Sequence, residues 1–275
     1  MKKAYEYFLV EPTQEKYVDN DSIEPLFITK VEIKKKIYEV ALFSTQNRIY
    51  MLRIMIPNLE NEVMPEEDVC HVQEIKEHML SVLRITYSSK VSIFPISIRC
   101  FGEQGNPPGL SIDFKESINP DFKIDKQNIL STFIATSGVR HQIKLISDSQ
   151  DRRIPLQYQY LSLYKLLELE FKQRGGWQEP EFSKFLSKFK DDFLKGGVTK
   201  KNLKNYIIEL RDKCAHIKNK KEIFGVTELN AKSTIEIERF LPFLIYICTS
   251  LLNEKYKDRG FTLIRYPKYT IQKTG

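Results

Sequence analysis

Several runs in the first half of the chain alternate in the manner of a half-buried strand. The runs 27–33, 37–43 and 49–56 predict three adjacent strands of one sheet. Val69, Val72, Ile75, Met79, Leu80 and Leu83 recur every three to four residues and predict an amphipathic helix laid on that sheet. The runs 91–94, 96–101 and 110–114 predict further strands, the last two separated by a Gly- and Pro-bearing turn over 102–109. After Asp125 the period lengthens. Helices are predicted over 129–146, 155–171, 180–194, 200–217 and 231–255, with Pro155 at a first helical position. Gln173-Arg174-Gly175-Gly176 and Lys195-Gly196-Gly197 mark turns between them. Four or five helices on short polar connections predict an antiparallel bundle, because one amphipathic helix cannot hide its stripe alone. Residues 258–275 return as an edge strand or lie as a tail. The expected class is therefore α+β: a small mixed sheet with a covering helix over 1–124, serving sensing or docking, and an all-α bundle over 125–275.

The chain has 275 residues, of which 41% are hydrophobic, enough for a packed core. Its longest apolar stretch, 240–252, is short and interrupted by Pro242, Thr249 and Ser250, so no membrane span is expected. The start Met1-Lys2-Lys3-Ala4-Tyr5-Glu6 lacks the pattern of a secretory signal, and a cytoplasmic location is expected. Cys70, Cys100, Cys214 and Cys248 form no CxxC pair and read as reduced, isolated thiols. His71, Glu74 and His78 share a helical face at metal-binding spacing, but an exposed salt-bridging face explains them more simply. No metal or other cofactor is expected. Tyr158, Tyr160 and Tyr164 recur near helical spacing and read as core or interface residues.

Charge changes the picture. Residues 1–150 carry 18 Lys and Arg against 21 Asp and Glu, whereas residues 151–275 carry 25 against 15. A basic second half concentrates polyanions such as nucleic acid without any base-specific contact. Within it lies Ile207-Ile208-Glu209-Leu210-Arg211-Asp212-Lys213-Cys214-Ala215-His216-Ile217-Lys218. Of the four histidines, His216 alone follows an arginine by five to seven positions.

Arg211, the polar Asp212, three intervening residues and His216 resemble the motif of the HEPN family of helical-bundle proteins. The earlier run Leu166-Leu167-Glu168-Leu169-Glu170 is similar to the first helix of HEPN-like proteins grouped near the MauJ proteins. The resemblance covers the last 140 to 150 residues. It implies a HEPN-like bundle, a homodimer with a composite site, and metal-independent RNA cleavage in a prokaryotic toxin or antiviral-defence setting, with an antitoxin or defence protein as a possible partner.

The chemistry is consistent. RNA carries its own 2′-hydroxyl nucleophile, and cleavage needs a proton acceptor, a proton donor and a cation for the crowded phosphorane. His216 is the expected general base or acid, Arg211 the phosphate-binding stabiliser and Asp212 the residue that orients one of them. Lys213, Lys218, Lys220 and Lys221 are the expected RNA contacts. On one ideal helix Arg211 and His216 stand about 140° apart around the axis and about 7.5 Å along it. They converge on one phosphate where the helix ends near His216 or where two copies meet about a two-fold axis. The alternative is a non-catalytic scaffold binding nucleic acid or protein, with Arg211–Asp212 an ordinary ion pair and His216 capping a helix C-terminus.

Overall fold

A computed structural model describes residues 2–11, 24–45, 48–59, 63–87, 91–101, 124–151, 153–195, 202–215 and 231–263. The chain divides into two compact units, Met1–Ser137 and Gly138–Gly275. The change from strands to helices at residue 125 is thus not the division between units, because α2 packs on α1 of the first one.

In the first unit β1 (Lys2–Glu11), β2 (Glu24–Ile33), β3 (Lys36–Thr45), β4 (Arg48–Leu59) and β5 (Ser92–Phe101) form one sheet in the order β2-β3-β4-β1-β5. Every pairing is antiparallel, which corrects the expected mixed sheet. β1 lies between β4 and β5, so the helix-containing crossover that joins those two like-directed strands never sets them side by side. The three adjacent strands expected over 27–56 are β2, β3 and β4; β1 was not read from the pattern. The predicted strands 91–94 and 96–101 are one strand running through Pro95, tolerated because β5 is an edge and its register with β1 shifts opposite that proline. The predicted strand 110–114 and its turn lie outside the described residues.

The helices α1 (Glu66–Thr86) and α2 (Lys126–Ala135) cover one face of the sheet. Val72, Ile75, Met79 and Leu83 of α1 pack with Phe8, Val40, Leu52 and Ile54 of the strands and Ile129 and Phe133 of α2. Tyr5, Tyr7, Ala41, Phe43, Tyr50 and Met51 form a second cluster on the opposite face. Arg53 reaches over the Tyr5 and Phe43 rings at 5.3 and 5.4 Å and pairs with Glu39 at 2.9 Å.

His71 and His78 are buried, contrary to the exposed face expected for them. The Tyr38 hydroxyl donates to Asp68 Oδ1 at 2.5 Å and lies 2.8 Å from His71 Nδ1, while Lys36 meets the same carboxylate oxygen at 3.1 Å. His78 Nε2 lies 2.9 Å from Thr136 Oγ1, and its ring stacks on Phe133 at 4.7 Å. Both histidines thus satisfy their polar atoms within the helix–sheet layer, and no cluster of three potential metal ligands occurs among the described residues.

The second unit begins within a 3₁₀ turn, Ser137–Val139, that breaks the single helix expected over 129–146. It comprises α3 (Arg140–Gln150), α4 (Leu156–Phe171), a short hairpin of β6 (Lys172–Gln173) and β7 (Gly176–Trp177), α5 (Glu179–Ser187), α6 (Lys190–Lys195), α7 (Leu203–Ala215) and α8 (Ala231–Lys255). α5 and α6 replace the single helix expected over 180–194. α4 is buried at Tyr160, Leu163, Leu166, Leu167 and Phe171 and touches α3, α7 and α8. Its contacts with α7 advance in step: Tyr160 donates to the Ile207 carbonyl at 2.9 Å, and one turn on Tyr164 meets Arg211. Those with α8 do likewise, Leu163 with Cys248 and then Glu170 with Lys255 and Tyr256. These pairs run the same way where they touch, whereas Gln142 at the start of α3 meets Glu170 at the end of α4, so the expected antiparallel arrangement holds for α3 and α4 but not for α4 with α7 or α8; the hairpin, α5 and α6 lie between α4 and α7 in the chain. Past α8 a 3₁₀ turn, Lys257–Arg259, leads to residues 261–263, where the Asn253 side chain brackets Leu263, accepting from its N–H at 2.9 Å and donating to its carbonyl at 3.2 Å; the rest of the expected edge strand or tail, 264–275, lies outside the described residues. No described helix is long and apolar enough to cross a membrane.

Asp68→Ala is expected to cost the first unit about 1–3 kcal/mol, since it removes the buried carboxylate that accepts from Tyr38 and Lys36 and leaves the Tyr38 hydroxyl to His71 Nδ1. Hydrogen exchange of β3 amides measures this directly, and unchanged protection would show that the carboxylate is dispensable.

Candidate functional site

Arg211, Asp212 and Lys213 occupy the last turn and a half of α7. Leu203, Tyr206, Ile207 and Leu210 bury the apolar side of that helix, which leaves these three residues half-buried along its flanks. Neighbours in sequence do not face each other on a helix. The long Arg211 side chain nevertheless folds back, and Nη1 donates to Asp212 Oδ1 at 2.9 Å.

The guanidinium also lies over the Tyr164 ring of α4, with Cζ 5.4 Å from the centroid. A cation over an aromatic face is favoured by the ring quadrupole, by about 0.5–1 kcal/mol near a surface. The hydrogen bond to Asp212, first, and then the nearby Tyr164 and Glu168, raise the Arg211 pKa against the opposing effect of burial. Burial raises that of Tyr164, so its phenol stays protonated at neutral pH. Asp212 and Tyr164 thus present a permanent cation at a fixed height on α7.

Lys213 is placed differently. Its ammonium meets Glu236 Oε2 of α8 at 2.5 Å and Glu209 Oε1 one turn back at 3.1 Å. Burial would lower its pKa, but the bonds to Glu236 and Glu209 outweigh that effect and the net direction is upward. The Tyr206 hydroxyl donates to Glu236 at 3.0 Å, so Glu236 gathers two side chains of α7 on one face. Lys213 ties α7 to α8 rather than standing clear as a contact for RNA. His216, Lys218, Lys220 and Lys221 lie outside the described residues.

Sequence reasoning read Tyr164 as a core or interface residue and missed the cation it carries. A helical stripe, Tyr160, Tyr164 and Glu168, was the available signal: three residues at steps of four line up along one helix face, and Lys172 follows at the start of β6. Glu168 and Lys172 pair at 2.8 Å along it. Trp177 adjoins the stripe, its ring 5.9 Å from that of Tyr164 and at 76° to it.

A cavity of about 230 Å³ opens at the other end of α7, lined by Ser183, Lys190, Phe193, Asn202, Leu203 and Lys204 among others. None of the expected site residues lines it. Its Lys204 already pairs with Glu179.

Cysteine chemistry is disfavoured at Cys214 and Cys248. Burial pushes the Cys214 thiol up to about 12 and raises that of Cys248 as well, while Cys70 is exposed. No family model matches this chain, and comparison with curated proteins and with solved structures likewise yields no match.

Alkylation at pH 8 is expected to reach Cys70 first and Cys214 and Cys248 more slowly by about a thousandfold or more, since reaction follows the thiolate fraction and access. Peptide mapping by mass spectrometry resolves the sites. Fast labelling of Cys214 would contradict the placement of α7.

Proposed function

We propose that the helical unit is a metal-independent endoribonuclease of the HEPN type, acting as a homodimer in which Arg211 and His216 meet across a two-fold axis. The observation that carries this reading is the held guanidinium of Arg211, fixed by Asp212 and by the Tyr164 ring at the end of α7 that leads into His216. A cation set in advance where charge develops in a transition state is the commonest large contribution to catalysis, because nothing must reorganise during the reaction.

In this reading Arg211 binds the non-bridging oxygens of the scissile phosphate, His216 moves the proton of the 2′-hydroxyl or of the leaving oxygen, and Asp212 orients Arg211. Lys218, Lys220 and Lys221 guide the RNA backbone, while Lys213 acts indirectly by seating α7 on α8. The products are a 2′,3′-cyclic phosphate and a 5′-hydroxyl. A toxin or antiviral-defence role, a cytoplasmic location and an antitoxin or defence partner follow from the resemblance to HEPN proteins. The non-catalytic scaffold reading draws support from one observation, the engagement of both Arg211 and Lys213 with carboxylates of the same chain.

Purified protein is expected to cleave RNA in EDTA, and His216→Ala and Arg211→Ala each to slow it by about 10²–10⁴-fold with the fold intact by circular dichroism. End-group analysis identifies the cyclic phosphate. Equal rates in wild type and variants, or absence of cleavage across varied RNAs, would move the assignment to the scaffold.

A further inference from the structure

The hairpin next to Tyr164 has features that a plain connection does not need. Its turn, Gln173-Arg174-Gly175-Gly176, has both central residues in the left-handed region, Arg174 at φ 48° and Gly175 at φ 82°. That is the geometry of a two-residue hairpin turn, and glycine or asparagine adopts its first central position at far lower cost than arginine. The strained residue is an exposed cation. Lys172 and Trp177 pair at the hairpin's base, with the Lys172 ammonium 5.8 Å from the indole centroid.

Trp177 is half-buried. Phe182 of α5 stacks on it at 4.6 Å and 13°, and Tyr164 meets it at a steep angle. The indole is therefore a rigid platform, held by Phe182 and Tyr164 and partly open to solvent. Tyr164 links it to Arg211, whose guanidinium lies over the same phenol. Two cations beside aromatic rings, Lys172 at Trp177 and Arg211 at Tyr164, thus adjoin the junction of α4, α7 and the hairpin, with Arg174 on the hairpin's turn, in the half of the chain whose charge is positive. Alternating cations and aromatic faces are the chemistry that grips single-stranded nucleic acid, because every base has a face to stack and every nucleotide a charge to neutralise.

We propose that the β6–β7 hairpin is a subsite for single-stranded RNA, with Trp177 stacking a base near the phosphate held by Arg211 and with Arg174 and Lys172 contacting the flanking backbone. This inference rests on the ribonuclease reading for its choice of RNA, but its test does not depend on cleavage. A duplex fits the site poorly, since its bases are already stacked and a lone indole finds no free face.

The chain has a single tryptophan, so its intrinsic fluorescence reports Trp177 alone. The experiment titrates the full-length protein with a 2′-O-methyl oligouridine twelve-mer, which lacks the nucleophile and stays intact. A duplex of the same length and tripolyphosphate serve as comparisons. The expected result is saturable quenching by the single strand and little by the other two. Trp177→Leu, followed by anisotropy of a labelled oligomer, is expected to weaken binding roughly five- to a hundredfold. Trp177→Phe retains a ring and is expected to recover most of the loss, and Arg174→Ala is expected to lower the salt dependence by about one ion. Absence of quenching, equal quenching by duplex or tripolyphosphate, or wild-type affinity in folded Trp177→Leu would overturn the proposal. RNA cleavage without quenching would overturn this subsite and leave the ribonuclease standing; quenching without cleavage of unmodified RNA would do the reverse.

Discussion

A helix that carries Tyr160, Leu163, Leu166, Leu167 and Phe171 along one broad face leaves water only when neighbours cover that face, and α4 packs against α3, α7 and α8. The rest of the helical unit is arranged around that requirement. Burying α4 also buries Tyr160 and Glu170, and both find partners on elements that pack against it. The Tyr160 hydroxyl takes the Ile207 carbonyl of α7, and Glu170 accepts from Gln142 of α3 and from Lys255 and Tyr256 at the end of α8. Such bonds cost little when made and much when missing, so they select one register among the ways three helices pack on a greasy fourth.

Register decides the chemistry. With Tyr160 bonded to Ile207, the next turn of α4 brings Tyr164 under Arg211, four residues further along α7. A slip of one residue would rotate Arg211 by about 100° and take it off the ring. Two cations only two residues apart on α7 consequently have different tasks: Lys213 is consumed by Glu209 and Glu236 in holding α7 to α8, while Arg211 is oriented by one carboxylate and one aromatic face. The proposed catalytic arginine depends on the structural lysine for the position of its helix.

Much of the architecture was legible in the residues, and the misses have physical causes. Three strands and the helix that covers them follow from alternation and from the stripe Val72, Ile75, Met79 and Leu83, since burial on one face forces those periods. β1 was missed because Tyr5 and Tyr7 on one face and Ala4, Phe8 and Val10 on the other are all buried, so a strand apolar on both sides loses its alternation. The direction of α4 against α7 and α8 was illegible because short polar connections favour antiparallel neighbours, whereas contacts between helices distant in the chain carry no such signal. Arg211 and Asp212 stood out by spacing. Tyr164 did not, because a tyrosine in a helical stripe has the same pattern whether it fills a core or carries a cation.

A composite site across two copies is the part of the account most exposed to a decisive test. Differently tagged Arg211→Ala and His216→Ala chains, each inactive as a homodimer, are co-expressed and the mixed dimer is purified and assayed on RNA in EDTA. If Arg211 of one copy acts with His216 of the other, the mixed dimer holds one intact site and recovers about half of the wild-type rate per dimer. A mixed dimer as inactive as its parents, beside an active wild type, would contradict a site shared across the two-fold axis.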